Sequence, residues 1–455
     1  MRVTEHRGAG AGLGRSVKFR RPDIYWLVLC LSALIFFSVA VEGFHAFHSA
    51  IDYIPVYTGA RCLLHGCNPY NTSQLEQQYL EADGRADELP AWNEEIPLYP
   101  PSTLLVLSPL SLLRFPVARV LWILLNGCLF AISAGLILSI CSRAHRWLAT
   151  LLASLMLVTS GILLALGNPA IFAISLLIIG CCLLLRGRLL PLGAFLLMLS
   201  LAVKPQIGGL IVLALIAMKI RWRYAVLAVA GAFALLLTAG LILSMHPRSS
   251  NWTSGLSGNI SSTLGPGGHN DPRPDGKRAI ADINLQAVTS VFFADQREFN
   301  AVAYAVFLAL LMVWVMAVLR TNTSPEMHLL SVAALAALSL TPVYHGFYDT
   351  RMLLISVPAV VIVYQKRRLL GAGIGVLTIL SVVSVQDRVQ KIFLHHAMLQ
   401  SMLSHKILFV LFLRQQNLEL PLLFCLYMFA IFAIRFPSVP PMTFSARNSQ
   451  EAISQ

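Results

Sequence analysis

The stretch Gly193–Met218, GAFLLMLSLAVKPQIGGLIVLALIAM, decides the fold. It is two apolar runs hinged on Lys204-Pro205-Gln206, and neither run offers the polar face that a helix at a water boundary would show. Such runs recur from Ile24 to Ile434. The whole chain is 12% charged and 57% hydrophobic, with a mean hydropathy of +0.71, whereas soluble chains are about 25% charged. A spanning helix needs roughly 20 apolar residues, because in hydrocarbon every backbone amide must find its partner within its own segment. The pattern predicts an all-α polytopic membrane protein with about 10–13 transmembrane helices. Residues 24–436 form one transmembrane domain, flanked by a basic tail, 1–23, and a C-terminal tail, 437–455.

Basic residues beside short loops orient such a chain. Arg2, Arg7, Arg15, Lys18, Arg20 and Arg21 place the N-terminus in the cytoplasm of a plasma (inner) membrane protein. The first apolar run is too long for a cleavable signal peptide and stays as an anchor. Residues 44–98 hold Arg61 and Arg85 against a majority of carboxylates and face outward. Arg143/Arg146, Arg186/Arg188, Lys219/Arg221/Arg223 and Lys366/Arg367/Arg368 read as cytoplasmic, which puts Gly167-Asn168-Pro169, Lys204 and a second loop, 246–299, outside. Consistency then asks that 99–114 be re-entrant or that the Arg143 loop lie outside. The second loop contains SGLSGNISSTLGPGGHNDPRPDG, Ser254–Gly276, whose composition predicts a mobile lid or disordered span. Residues 387–417 mix Arg, Lys and His with Leu, Phe and Met and read as an interfacial helix. The net charge of +13 sits in short turns rather than in a stripe with aromatic partners, which favours an anionic leaflet over nucleic acid.

Of eight cysteines, six lie in or beside apolar helices and read as small buried hydrophobes. Cys62 and Cys67 share the outward loop. A five-residue offset on a continuous helix would point them apart, but His65-Gly66 can unwind the chain and let a disulfide close.

Four constellations can carry chemistry. If the first helix runs on past Gly43, then Glu42, His45, His48 and Asp52 share a face, either as metal ligands or as rings at headgroup level. Asp52, followed by Tyr53 and Tyr57 and held by the turn Gly66–Tyr70, suits a general base, with a solvated loop carboxylate as the alternative. Lys204 at depth faces a cavity or a charged ligand, and Pro205 leaves a helix N-terminus that favours an anion such as phosphate; the alternative is a lysine snorkelling to the interface. Finally, SLTPVYHGFYDTRMLLISVP gathers Tyr344, His345, Tyr348, Asp349 and Arg351 between two apolar helices. His345 or Arg351 can bind phosphate there, and Asp349 can pair with Arg351.

The order of these residues resembles glycosyltransferase family 87, which includes the polyprenyl-phosphate-mannose-dependent mannosyltransferases of the GT-C fold. The resemblance rests on Asp52 soon after the first helix, then Tyr57, Ala60, Leu64, Gly66 and Asn68-Pro69-Tyr70. It continues with Tyr99-Pro100-Pro101, Pro109-Leu110, Gly167-Asn168, Lys204-Pro205-Gln206, Asn284 and the His345/Tyr348 turn. It implies a GT-C-like fold with two large outward loops. The implied activity moves a sugar, mannose or a similar hexose, from a polyprenyl-phosphate carrier to an acceptor hydroxyl on a lipid or glycan, on the outer or periplasmic face and with inversion. Asp52 would be the base; Lys204, His345, Arg351 and Gln206 would meet the donor phosphate; Tyr53, Tyr57, Tyr70, Asn168, Asn284, Tyr348 and Asp349 would line the substrate pocket. Members often carry Gly-Gln where this chain has Gly167-Asn168. No motif demands a cofactor or metal, and a divalent cation stays open. No Gly-rich phosphate loop is present, which argues against a soluble sugar-nucleotide donor. The competing class is a transporter or flippase for a lipid-linked glycan or small solute. Against it, no pair of matching interrupted helices is seen and the polar clusters gather on one side.

Overall fold

The computed structural model describes residues 23–46, 50–89, 97–276, 282–320, 324–383 and 405–434. Their helices are α1 (Ile24–Ala46), α2 (Ile54–His65), α3 (Thr72–Glu81), α4 (Pro101–Ser111), α5 (Phe115–Ile140), α6 (Arg146–Val158), α7 (Gly161–Leu166) and α8 (Pro169–Arg186). They continue as α9 (Leu190–Val203), α10 (Pro205–Ala217), α11 (Trp222–Met245), α12 (Trp252–Leu264), α13 (Leu285–Thr289), α14 (Gln296–Arg320) and α15 (Pro325–Ser339). A 3-10 run, Phe347–Ser356, leads into α16 (Val357–Lys366), followed by α17 (Arg368–Val382), α18 (Lys406–Leu413) and α19 (Gln415–Ala433). The strands among the described residues are β1 (Asp282–Ile283) and β2 (His345–Gly346), paired antiparallel with Ile283 opposite His345.

Among the described residues, seven helical runs are long and apolar enough to cross a membrane: those of α1, α5, α8, α11 and α14, the run Phe347–Lys366, and α19. Four shorter apolar helices, α9, α10, α15 and α17, join them. The protein is an all-α polytopic membrane protein. α8 lies at the centre, buried on most sides, whereas α1, α11 and α14 leave most of their surface exposed, as lipid-facing helices do. Hydrocarbon provides little hydrophobic drive between helices, so contact rests on close approach of small residues. A Cβ added to Gly180 of α8 would lie 2.9 Å from the Gly193 carbonyl oxygen of α9, and further along Ser200 Oγ donates to the Ala173 carbonyl at 2.8 Å. This contact fixes the end of α9, and so Lys204.

Several expectations change. The Gly/Ser/Asn-rich stretch of the second loop is not a featureless lid: residues 252–264 are α12, pinned by Asn259 Nδ2, which donates to the carbonyls of Tyr70 and Pro97. The first helix does not run on to Asp52: α1 ends at Ala46 and Ala50 turns left-handed at φ 65 before Asp52 enters a separate 3-10 turn, so Glu42 and Asp52 do not share one helix, and His48 lies outside the described residues. The apolar run 147–166 divides into α6 and α7 at Thr159-Ser160. Cys141, Cys181 and Cys182 are buried, but Cys30, Cys128 and Cys425 are exposed on helix surfaces. The Cys62–Cys67 disulfide is formed: α2 stops at His65, Gly66 takes φ 73, and the Cys67 amide turns back to the Cys62 carbonyl. Of the expected interfacial helix, 387–404 falls outside the described residues.

Candidate active site

Lys204 is the sole residue between α9 and α10, with φ −144 and ψ 83. Pro205 has no N–H and begins a new helix, so the last carbonyls of α9 need other donors. Ser102 Oγ donates to the Ala202 carbonyl at 2.7 Å and Thr103 Oγ1 to the Val203 carbonyl at 2.8 Å. These hydroxyls stand at the start of α4, placed there by Pro100-Pro101. They give the Tyr99-Pro100-Pro101 stretch its structural meaning, and the sequence reading missed them.

Lys204 is 7% exposed. Its Nζ donates to Asp349 Oδ1 at 3.1 Å and lies 4.8 Å from the centre of the Tyr348 ring. The second Asp349 oxygen accepts from His345 Nδ1 at 2.9 Å, the ring nitrogen that must carry the proton to face a carboxylate. Asp349 therefore pairs with Lys204 and His345, not with Arg351 as its sequence neighbourhood suggests. His345 is fully buried behind it, held by the β1–β2 pairing, and its Nε2 finds no partner among the described residues. β1 is in turn anchored to α19: Asn417 Oδ1 accepts from the Asn284 amide at 2.9 Å and Asn417 Nδ2 donates to the Asp282 carbonyl at 3.2 Å. Arg414, also fully buried, donates to the Pro272 carbonyl at 3.0 Å. Burial draws its guanidinium down to about 10, against the pull of Asp282.

A cavity of about 370 Å³ opens beside this cluster. Lys204, Gln206, Tyr348 and Asp349 form its inner wall, and Tyr99 and Tyr344 stand at its side. The second loop closes it with Leu256, Ile260, Thr263, His269 and Asn270. Thr263 Oγ1 and Asn270 Oδ1 are buried there without a hydrogen-bond partner among the described residues. A buried polar atom in that state costs about 1–3 kcal/mol unless something else satisfies it. Nothing in the Gly- and Pro-rich composition of 263–270 marked these two as wall residues.

Asp52 is not among the residues that line this cavity, but it is within electrostatic reach of Tyr348 on the cavity wall. Its Oδ2 accepts from Asn168 Nδ2 at 2.8 Å, while Asn168 Oδ1 caps α8 by accepting from the Ala170 amide. The preceding Gly167 is left-handed at φ 70, and a Cβ on it would sit 3.0 Å from that of Ala50. Only glycine lets this turn approach the Asp52 segment. Tyr53 stacks on Trp122, centroids 5.0 Å apart, and Trp122 Nε1 donates to the Gly167 carbonyl at 2.7 Å.

The remaining expected residues serve as supports. Burial raises the phenols of Tyr53 and Tyr70 above their ordinary range and keeps them neutral. Tyr70 donates to the Tyr99 carbonyl at 2.8 Å, Tyr57 to the Leu113 carbonyl at 2.6 Å. Asn284 caps α13 through the Ala287 amide. Arg351 donates to Ser160 Oγ, Thr350 Oγ1 and the carbonyls of Thr159 and Val382, which knits the α6–α7 break to α17. Among the described residues no group of three or more His, Cys, Asp or Glu side chains converges on a metal position.

A carboxylate on an amide mount, a buried lysine beside a helix N-terminus, and a cavity edged with unsatisfied polar atoms can together activate a hydroxyl and bind an anion. Among curated proteins and solved structures nothing matches the chain. The family model of glycosyltransferase family 87 matches residues 98–342, more than half of the 455, and the protein belongs to that family.

Proposed function

We propose that this membrane glycosyltransferase transfers a hexose, mannose or a close relative, from a polyprenyl-phosphate carrier to an acceptor hydroxyl on a lipid or glycan, at the outer face of the plasma membrane. The observation that carries the reading is the depth of the Lys204 turn. α9 has 14 residues and α10 has 13, so these helices rise about 21 and 20 Å, against a hydrocarbon core of about 30 Å. Their far ends meet Arg188, Lys219 and Arg221, side chains that favour the interface. The cavity then lies below the opposite interface, where a lipid-borne donor arrives sideways between helices and a soluble nucleotide does not.

In this reading Asp52 removes the acceptor proton, the acceptor oxygen bonds the anomeric carbon, and the bond from that carbon to the phosphate oxygen breaks with its electron pair leaving on the phosphate. Inversion follows from one displacement through an oxocarbenium-like state. Lys204 and the N-terminus of α10 stabilise the departing phosphate. Asp349, pinned by His345, holds the lysine in place. Thr263 and Asn270 offer hydrogen-bonding atoms to sugar hydroxyls. The family match contains Asn168 and Lys204 but ends short of His345, Tyr348 and Asp349 and begins after Asp52, so the roles of these four rest on geometry.

The test is transfer of labelled sugar by the purified protein in vesicles, with polyprenyl-phosphate-hexose and the matching sugar nucleotide offered separately. Transfer from the lipid donor alone, reduced at least about a hundredfold by Asp52→Asn, is the expected result. Transfer from the nucleotide would overturn the donor assignment, and a fully active Asp52→Asn would overturn the base.

A further inference from the structure

We propose that the end of the helical bundle opposite the Lys204 cavity holds the headgroup of an anionic phospholipid. A second cavity, about 1050 Å³, lies there among the ends of α5, α8 and α10 and the starts of α11 and α15, one α10 length, about 20 Å, from Lys204. Arg186, Lys219, Arg221 and Arg223 stand on its wall, and no carboxylate does among the described residues. Its remaining surface is largely apolar, with Leu184, Met218 and Leu329 among the lining residues. A cationic rim over an apolar floor matches a phosphate carried on acyl chains rather than a phosphate alone.

The bias of basic residues toward one membrane face accounts for charges at this level but asks neither for a cavity nor for strain. Both are present. Lys219 and Arg221 are left-handed at φ 56 and 48, with one residue between them, a backbone that residues with a Cβ rarely adopt. Gly187, itself at φ 65, leaves room for Arg221: a Cβ there would meet the guanidinium Nη2 at 2.9 Å. The guanidinium of Arg223 lies over the Trp222 ring at 5.8 Å, and His328 Nε2 is buried in the same wall without a partner among the described residues. Four cations on a wall that carries no carboxylate among the described residues repel one another, and an anion relieves that repulsion.

The experiment compares the wild type with the triple variant Lys219→Gln/Arg221→Gln/Arg223→Gln, both in neutral detergent, by thermal unfolding and by native mass spectrometry after addition of phosphatidylglycerol, phosphatidylcholine or inorganic phosphate. The wild type is expected to retain phosphatidylglycerol and be stabilised by it. The triple variant should bind it about a hundredfold more weakly, three charges each contributing about fivefold, with unchanged helical content and unchanged transfer in neutral-lipid vesicles. A control, Arg367→Gln/Arg368→Gln, removes basic charge elsewhere and should retain the lipid as the wild type does. Equal retention of phosphatidylcholine, an equal loss in the control, or full retention by the triple variant overturns the site. Stabilisation by inorganic phosphate alone, equal to that by the lipid, overturns the lipid assignment. None of these outcomes depends on the sugar donor.

Discussion

Lys204 and Arg351 are both nearly closed to solvent, 7% and 3% exposed, and both come from polar breaks in apolar sequence, yet their surroundings differ in kind. Arg351 sends its donors to three backbone carbonyls and two hydroxyls from three parts of the chain. Lys204 has one carboxylate, one aromatic face and a cavity. A guanidinium with five donors can satisfy orphan carbonyls at a helix break and become a strut. An ammonium on a flexible stem leaves donors for something that comes and goes. A buried cation therefore says that a segment is unusual, and only its partners say whether it binds a ligand or holds the frame.

The sharpest way to break this comparison is to remove each cation in turn. Lys204→Met is expected to reduce transfer at least about a hundredfold, since a lost donor to a developing anion costs about 10²–10³ in rate. It also leaves Asp349 with His345 alone, which lowers stability. Adding Asp349→Asn should restore the melting temperature without restoring transfer. If the double variant recovers both, Lys204 is a strut like Arg351.

Arg351→Met should do the reverse. The carbonyls of Thr159 and Val382 lose their buried donor, about 1–3 kcal/mol for each, and thermal unfolding should fall by several degrees. Transfer per folded molecule should stay within about twofold of wild type, because the residue lies off the cavity wall. A stable but inactive Arg351→Met would return Arg351 to the phosphate site.

The same contrast explains what was legible in the sequence. Lys204-Pro205-Gln206 stands out because a charge inside an apolar run is conspicuous, and Asp52 because it follows the first helix among aromatics. The helical class followed from hydropathy alone. What did not follow was pairing across distance. Asp349 looks toward Arg351, two residues on, but a 3-10 turn points the two apart, and its partner is 145 residues away. Asn168 and Asp52 meet across 116 residues. The α12 helix was hidden for a related reason: its Gly, Ser and Asn content has low intrinsic propensity, and the contacts of Asn259 with Tyr70 and Pro97, together with the Asn68–Asn251 side-chain bond, override it.

That override leads to the smallest and most discriminating prediction. If α12 is held in place to present Thr263 and Asn270 to a sugar, Asn270→Ala should raise KM for the donor or acceptor about tenfold, the loss expected when one neutral hydrogen bond disappears from binding. The fall in kcat should be much smaller, and stability should hold or rise, since the substitution removes a buried atom that has no hydrogen-bond partner among the described residues. A purely structural residue would give the opposite pattern: lower stability with unchanged KM. Deoxy analogues of the sugar then sharpen the assignment. The analogue lacking the hydroxyl that Asn270 meets should bind wild type and variant equally, while every other analogue should still tell them apart.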